Sequence, residues 1–159
     1  LNLTSNGVRG TLPSELSALT DLTIVDLMEN EISGTLPSDL GTLTNLISVS
    51  LSNNDISGSI PAEFGRLSAL THLYLDRNVL EGPVPEEIGN LESMHVLGLY
   101  ENYLTGSFPP LQKMKHLRSL YLDDNQLTGT IPGGVLGELT AMEDLRLGTN
   151  NFTGPIPSQ

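Results

Sequence analysis

Three histidines, His72, His95 and His116, are the first residues in this chain that could move a proton or bind a metal. A general acid or base must lie within hydrogen-bond reach of the group it serves, and a catalytic imidazole is usually oriented by a carboxylate. His72 and Asp76 could form such a pair, two outward steps apart on one extended segment, but no nucleophile or oxyanion donor accompanies them. The three histidines also occupy different places in the chain's repeating pattern: His95 second, His72 third, His116 in the turn before the next unit. They read as solvated surface side chains, so no catalytic residue and no enzyme activity is assigned.

The second chemical candidate is acidic. Asp123 and Asp124, together with Glu101 and Asp76, could offer oxygen ligands to Ca²⁺. A calcium site of that kind would be marked by a repeated DxD or a glycine-aspartate nonapeptide, and neither is present. The group reads as an acidic solvated surface, with no metal and no cofactor assigned. Phosphate loops, zincin helices and nucleophile elbows are absent from the sequence.

Nineteen acidic side chains against seven basic ones give a net charge of −12, which repels phosphate backbones and anionic headgroups. Nucleic acid is excluded as a partner, and membrane contact by this segment with it. No apolar run is long enough to span a bilayer, so a transmembrane helix, if the protein has one, lies outside the segment. The absence of cysteine removes disulfides and thiolate chemistry without fixing the compartment.

What positions these side chains is a repeat. Residues 46–69, LISVSLSNNDISGSIPAEFGRLSA, superpose on residues 22–45 and 70–93 when shifted by 24 positions. Residues 94–116 and 117–141 continue the series with 23 and 25 residues, and 1–21 and 142–159 are partial units, giving a single domain of about seven repeats. The length changes fall after the proline, away from the segment that alternates. Neither end reads as a polar cap, so the segment is expected to be part of a longer chain.

Each unit opens with period-2 alternation, Val49 and Leu51 inward, Ser48, Ser50 and Ser52 outward, which predicts a short strand. Strands recurring once per unit pair in parallel, and seven of them at about 4.8 Å span roughly 29 Å. Asparagine closes each strand at Asn6, Asn30, Asn54, Asn78, Asn102, Asn125 and Asn150, where its amide can satisfy turn backbone in two units at once. Four residues on, glycine recurs in every unit and predicts positive φ. Proline comes next and starts a return segment too short for more than one or two turns of 3₁₀ or α-helix.

The pattern LxxLxLxxNxLxGxIPxxLxxLxx at residues 46–69 resembles the plant-type leucine-rich repeat, and the resemblance covers the whole chain. It implies an α/β solenoid: a right-handed superhelix with a parallel β-sheet on the concave face and short 3₁₀ or α turns on the convex face. It also implies a second short β stretch after each glycine, here at residues 35–36, 59–60 and 130–131. Ectodomains of receptor kinases and receptor-like proteins share this repeat, as do secreted inhibitors of cell-wall polysaccharide hydrolases and a few ice-binding proteins. The cysteine-paired caps usual in those ectodomains are absent from this segment.

Outward strand positions are irregular where the inward ones are monotonous. The fifth column reads Asp26, Ser50, Tyr74, Gly98, Tyr121, Arg146, and the seventh Met28, Ser52, Asp76, Tyr100, Asp123, Gly148. Irregular side chains on an ordered scaffold suit a specific binding face. The candidate partner-binding residues are His72, Tyr74, Asp76, Arg77, Gly98, Tyr100, Glu101, Tyr121, Asp123, Asp124 and Arg146, with Gly98 expected to leave a notch between Tyr74 and Tyr121. The carboxylates favour a basic protein or peptide ligand. A hydrolase inhibitor is the alternative, and an ice-binding protein a lower one, since the two columns carry no threonine from the second unit onward. Acceptor triplets at Asn2 and Asn151 fit an N-glycosylated, extracellular protein.

Overall fold

The computed structural model describes residues 1–158. Its core is one continuous column of buried aliphatic side chains running from Leu12 to Leu139, with Phe64 and Met94 among them. Each unit contributes the inward residues of its strand, such as Val49 and Leu51, and those of its return, such as Phe64 and Leu67, which all but lose contact with water.

The six-stranded main sheet is parallel throughout, in the spatial order Ile24–Asp26, Ser48–Ser50, His72–Tyr74, Val96–Gly98, Ser119–Tyr121, Asp144–Arg146. A single bridge from Asn2 to Asp26 is all that the first, partial unit adds. Register follows the repeat: Asp26, Ser50, Tyr74, Gly98, Tyr121 and Arg146 are successive partners. Neighbouring units therefore hold equivalent outward residues side by side.

The asparagines link these units. Asn78 accepts a bond from the Ile56 amide (2.9 Å) and donates to the carbonyls of Leu51 (3.0 Å) and Leu75 (3.1 Å), all buried. Asn54, Asn102 and Asn125 repeat the same arrangement one unit along each time. One amide thus satisfies backbone groups that no ladder partner reaches.

The second row of strands lies earlier in each unit than the resemblance implied. Arg9–Thr11, Glu31–Thr35, Asp55–Gly58, Val79–Pro83 and Tyr103–Thr105 form one parallel sheet. From the second unit on, pairing starts directly after the asparagine, and the glycine near each strand's end, with φ between 73° and 92°, then turns the chain inward. Leu36 and Ile60, expected in this row at 35–36 and 59–60, are buried core residues instead, and Ile131 is half-buried. Thr128–Thr130 and Asn151–Thr153 form a separate pair, joined to the first row by a bridge from Ser107 to Thr128 and by bonds from the Gln126 and Thr128 amides to the Leu104 and Gly106 carbonyls.

On the opposite side the returns are 3₁₀ helices at Ser14–Ala18, Ser38–Thr42, Ala62–Arg66 and Glu86–Asn90. Unit length sets the form of the later returns. The 23-residue unit, with Pro109 and Pro110 in its return, has only turns there, whereas the extra residue of the 25-residue unit winds Gly133–Glu138 into an α-helix. Glycine keeps the returns close: a Cβ on Gly65 would overlap the Glu87 carbonyl of the next unit.

Candidate binding face

Outward side chains of the main sheet form a face with two adjoining hollows. The larger, about 410 Å³, has a floor of small residues, Ser48, Ser50 and Ser52, between acidic Asp26 and Glu29 on one side and Tyr74, Tyr100 and Tyr121 on the other. The smaller, about 330 Å³, lies beyond Tyr100 and is lined by Arg77, Glu101, Tyr121, Asp123 and Arg146. Tyr100, Tyr121 and Arg77 border both.

Aromatic contacts fix this region. Tyr100 and Tyr121 meet edge to face at 6.4 Å, the Arg77 guanidinium stands 5.5 Å over the Tyr100 ring, and that of Arg146 4.8 Å over Tyr121. Each arginine is also paired with a carboxylate, Arg77 Nε with Glu101 at 3.2 Å and Arg146 with Asp144 at 2.9 Å. These exposed pairs add little stability, but they hold the rings in place and neutralise the face's two arginine charges. The Arg146 bond draws the Asp144 carboxyl below its ordinary range.

The eighth position of every unit is left-handed although none of its residues is glycine. Ser5, Glu29, Asn53, Arg77, Glu101, Asp124 and Thr149 have φ between 48° and 56°. This backbone turn swings Arg77, Glu101 and Asp124 off the sheet onto its rim, where they border a third hollow with Asn102 and Tyr103. The conformation recurs without a residue type to mark it, so it leaves no trace in the repeat pattern.

Two of the sequence-derived site residues are largely buried. Asp76 is only 5% exposed and accepts a bond from Ser52 Oγ at 2.8 Å. Burial raises its carboxyl above the ordinary range, against weaker pulls from Ser52, Tyr100 and Arg77. Gly98 is buried, and the expected notch is closed: a Cβ there would lie 3.1 Å from Asp76 Oδ1 and 3.2 Å from Tyr74 Cδ1. The absent side chain is filled by its neighbours on the preceding strand, and the open space lies over the serines. That run of three outward serines is the sequence signal for the hollow, together with Asp26, Met28, Ser50 and Ser52 of the two irregular columns.

Asp123 is half-buried, and its Oδ1 is buried without a hydrogen-bond partner among the described residues. Burial raises the Tyr74 and Tyr100 hydroxyls, with Asp76 contributing to both.

The histidines come together although they occupy different positions in the repeat. His72 and His95 stack at 6.1 Å with 9° between planes, and His95 and His116 at 6.0 Å with 14°. The one- or two-residue offset per unit becomes a diagonal row where the chain enters each strand. Stacked rings direct their nitrogens sideways: His72 Nδ1 meets Thr71 Oγ1 and His95 Nδ1 donates to the Ser93 carbonyl, both at 2.8 Å. Burial, then the field of His95, lowers the pKa of His72. Among the described residues no three metal-ligating side chains converge, and no helix is long and apolar enough to cross a membrane.

Both acceptor asparagines are exposed. Asn2 Oδ1 receives bonds from the amide and hydroxyl of Thr4, each at 3.0 Å, while Asn151 opens the last lateral strand.

This geometry has counterparts among known proteins. Family profiles described as leucine-rich repeats match residues 20–80 and 116–137. No curated protein sequence matches the chain. Among solved structures, the Arabidopsis receptor kinase HAESA, in complex with the peptide hormone IDA and the co-receptor SERK1, is 32% identical with a TM-score of 0.95, covering 99% of this chain and 26% of that one. The ectodomain of the Arabidopsis thaliana receptor kinase GASSHO1/SCHENGEN3, in complex with CASPARIAN STRIP INTEGRITY FACTOR 2, is 36% identical with a TM-score of 0.88, covering 91% and 17%. A plant ice-binding protein is 28% identical with a TM-score of 0.81, covering 93% and 48%. The chain thus spans about a quarter or less of these two receptor chains.

Proposed function

The chain belongs to the leucine-rich repeat family, with the plant-type repeat, and from that premise we propose that its strand face recognises a protein or peptide. We place the segment in an extracellular receptor or a secreted leucine-rich repeat protein, as the receptor ectodomains similar to it suggest. The observation that carries the reading is the pair of adjoining hollows, lined by a serine floor, three tyrosines and five carboxylates, with two arginines that are already paired. Rigid aromatic surface beside a concave floor is where binding energy concentrates, and the excess of carboxylates favours a basic ligand. The two hollows together run from Asp26 to Arg146, so a ligand can lie along Tyr74, Tyr100 and Tyr121 with the serine floor at one end. Ice binding is the weaker reading, because the fifth and seventh columns offer no regular threonine array.

Panning a random-peptide library against the chain tests the proposal. Selected peptides should be net basic, and Tyr74→Ala and Tyr121→Ala should each weaken them by about 2 kcal/mol, roughly 30-fold, without lowering the melting temperature. Unchanged affinity in both variants would refute this face as the site.

A further inference from the structure

Two carboxylates on this face are held differently from the rest. Asp76 lies at the bottom of the larger hollow, almost wholly buried. Asp123 lines the smaller one and keeps a buried oxygen that no donor reaches among the described residues. Between them in the seventh column stands Tyr100, whose ring borders both hollows. The rim acids Glu101 and Asp124 are exposed, and Asp144 is tied to Arg146, so neither kind has the same need of a ligand donor.

The spacing of these two carboxylates sets a ruler. They are separated by two ladder steps, which at about 4.8 Å each is roughly 10 Å along the array. A fully extended β-strand covers that distance in three residues, but its third residue points to the opposite side. A polyproline-II helix has three residues per turn and rises about 3.1 Å per residue, so residues i and i+3 project from the same side about 9.3 Å apart. Tyrosine rings, here Tyr74, Tyr100 and Tyr121, are also the surfaces on which such segments dock.

Resting on the recognition reading, we infer that the ligand of this face is an extended polyproline-II segment with basic side chains at positions i and i+3. One reaches Asp76 and the other Asp123, astride the Tyr100 ring. The arginines do not compete for these sites, since Arg77 and Arg146 are each held by a carboxylate and a ring. Asp76 gains from a cation in particular, because burial disfavours its charge and a neighbouring ammonium offsets that penalty.

The test uses fluorescein-labelled proline peptides with two lysines spaced two, three or four positions apart, identical in composition and charge, titrated against the whole chain by anisotropy. The three-residue spacing should bind at least about tenfold more tightly than the other two, since only it engages both anchors at once. Asp76→Asn, which keeps the acceptor for Ser52, and the isosteric Asp123→Asn should each bring it down to the level of the isomers. Asp55→Asn, on the second row of strands, should leave it unchanged. Equal binding of all three spacings overturns the inference, and if Tyr74→Ala still weakens them the recognition face stands. Failure of every proline peptide while library-selected peptides bind overturns the inference alone. Failure of both kinds of peptide overturns both.

Discussion

Replacing Asn78 with alanine would remove one side chain and strand backbone groups in two units. In the folded protein its amide oxygen takes the Ile56 N–H, and its nitrogen supplies the carbonyls of Leu51 and Leu75, with that of Asp76 at 3.2 Å. Asn78 itself is 6% exposed. Each buried backbone group left unpaired costs about 1–3 kcal/mol, and water entering the space offsets part of it. With two groups fully stranded, the expected loss is about 2–4 kcal/mol. Asn78→Asp is the sharper variant: its second oxygen would face the carbonyls that the amide nitrogen now serves, so at pH 7 it should cost at least as much. Asn6→Ala is the comparison, because Asn6 is exposed and its side chain donates only to Thr4. Urea unfolding by circular dichroism reads the outcome, provided the slope is the same across variants. Equal midpoints for Asn78→Ala and Asn6→Ala would refute the assigned role.

Gly65→Ala should lower stability by about 1–3 kcal/mol, since its methyl meets the Glu87 backbone, whereas Gly137→Ala faces open space and should not; thermal melts compare the two. Asp76 should make stability pH-dependent. Its folded pKa is raised above the ordinary 3.8, so the native state holds the proton more tightly than the unfolded state, and stability falls as pH rises above 3.8. Asp76→Asn should abolish that fall, and urea midpoints of the two proteins running parallel from pH 3.5 to 7 would contradict it. Intact mass of material secreted from a eukaryotic host should show N-glycan at Asn2 or Asn151, and unmodified protein would remove that support for an extracellular location.

The fold was legible because the same local instruction is written seven times, and each copy of asparagine, glycine and proline makes one turn of the chain. Register, and with it both irregular columns, comes from counting. The contacts between columns do not. That Asp76 is buried depends on Ser52 before it and Tyr100 after it, and that the Gly98 space is filled depends on how Tyr74 leans. The histidine row arises from offsets that counting treats as separation. The left-handed eighth position carries Ser, Glu, Asn, Arg, Asp and Thr, residues whose types do not announce it.

The break in the second row of strands has a consequence for cooperativity. In a linear array each unit couples only to its neighbours, so the weakest junction decides where the array comes apart. Between Tyr103–Thr105 and Thr128–Thr130 the lateral ladder shrinks to one bridge and the amide bonds of Gln126 and Thr128, while the main sheet and the Asn125 bonds to Leu99 and Leu104 continue across. The last two units should therefore open as a block, and hydrogen exchange is expected to be faster in their amides than in those of the five units preceding them. Tyr100 and Tyr121 stand on opposite sides of that junction. A ligand gripping both rings would clamp the two blocks together, and its arrival could be detected far from the rings, as slowed hydrogen exchange in Asn151–Thr153.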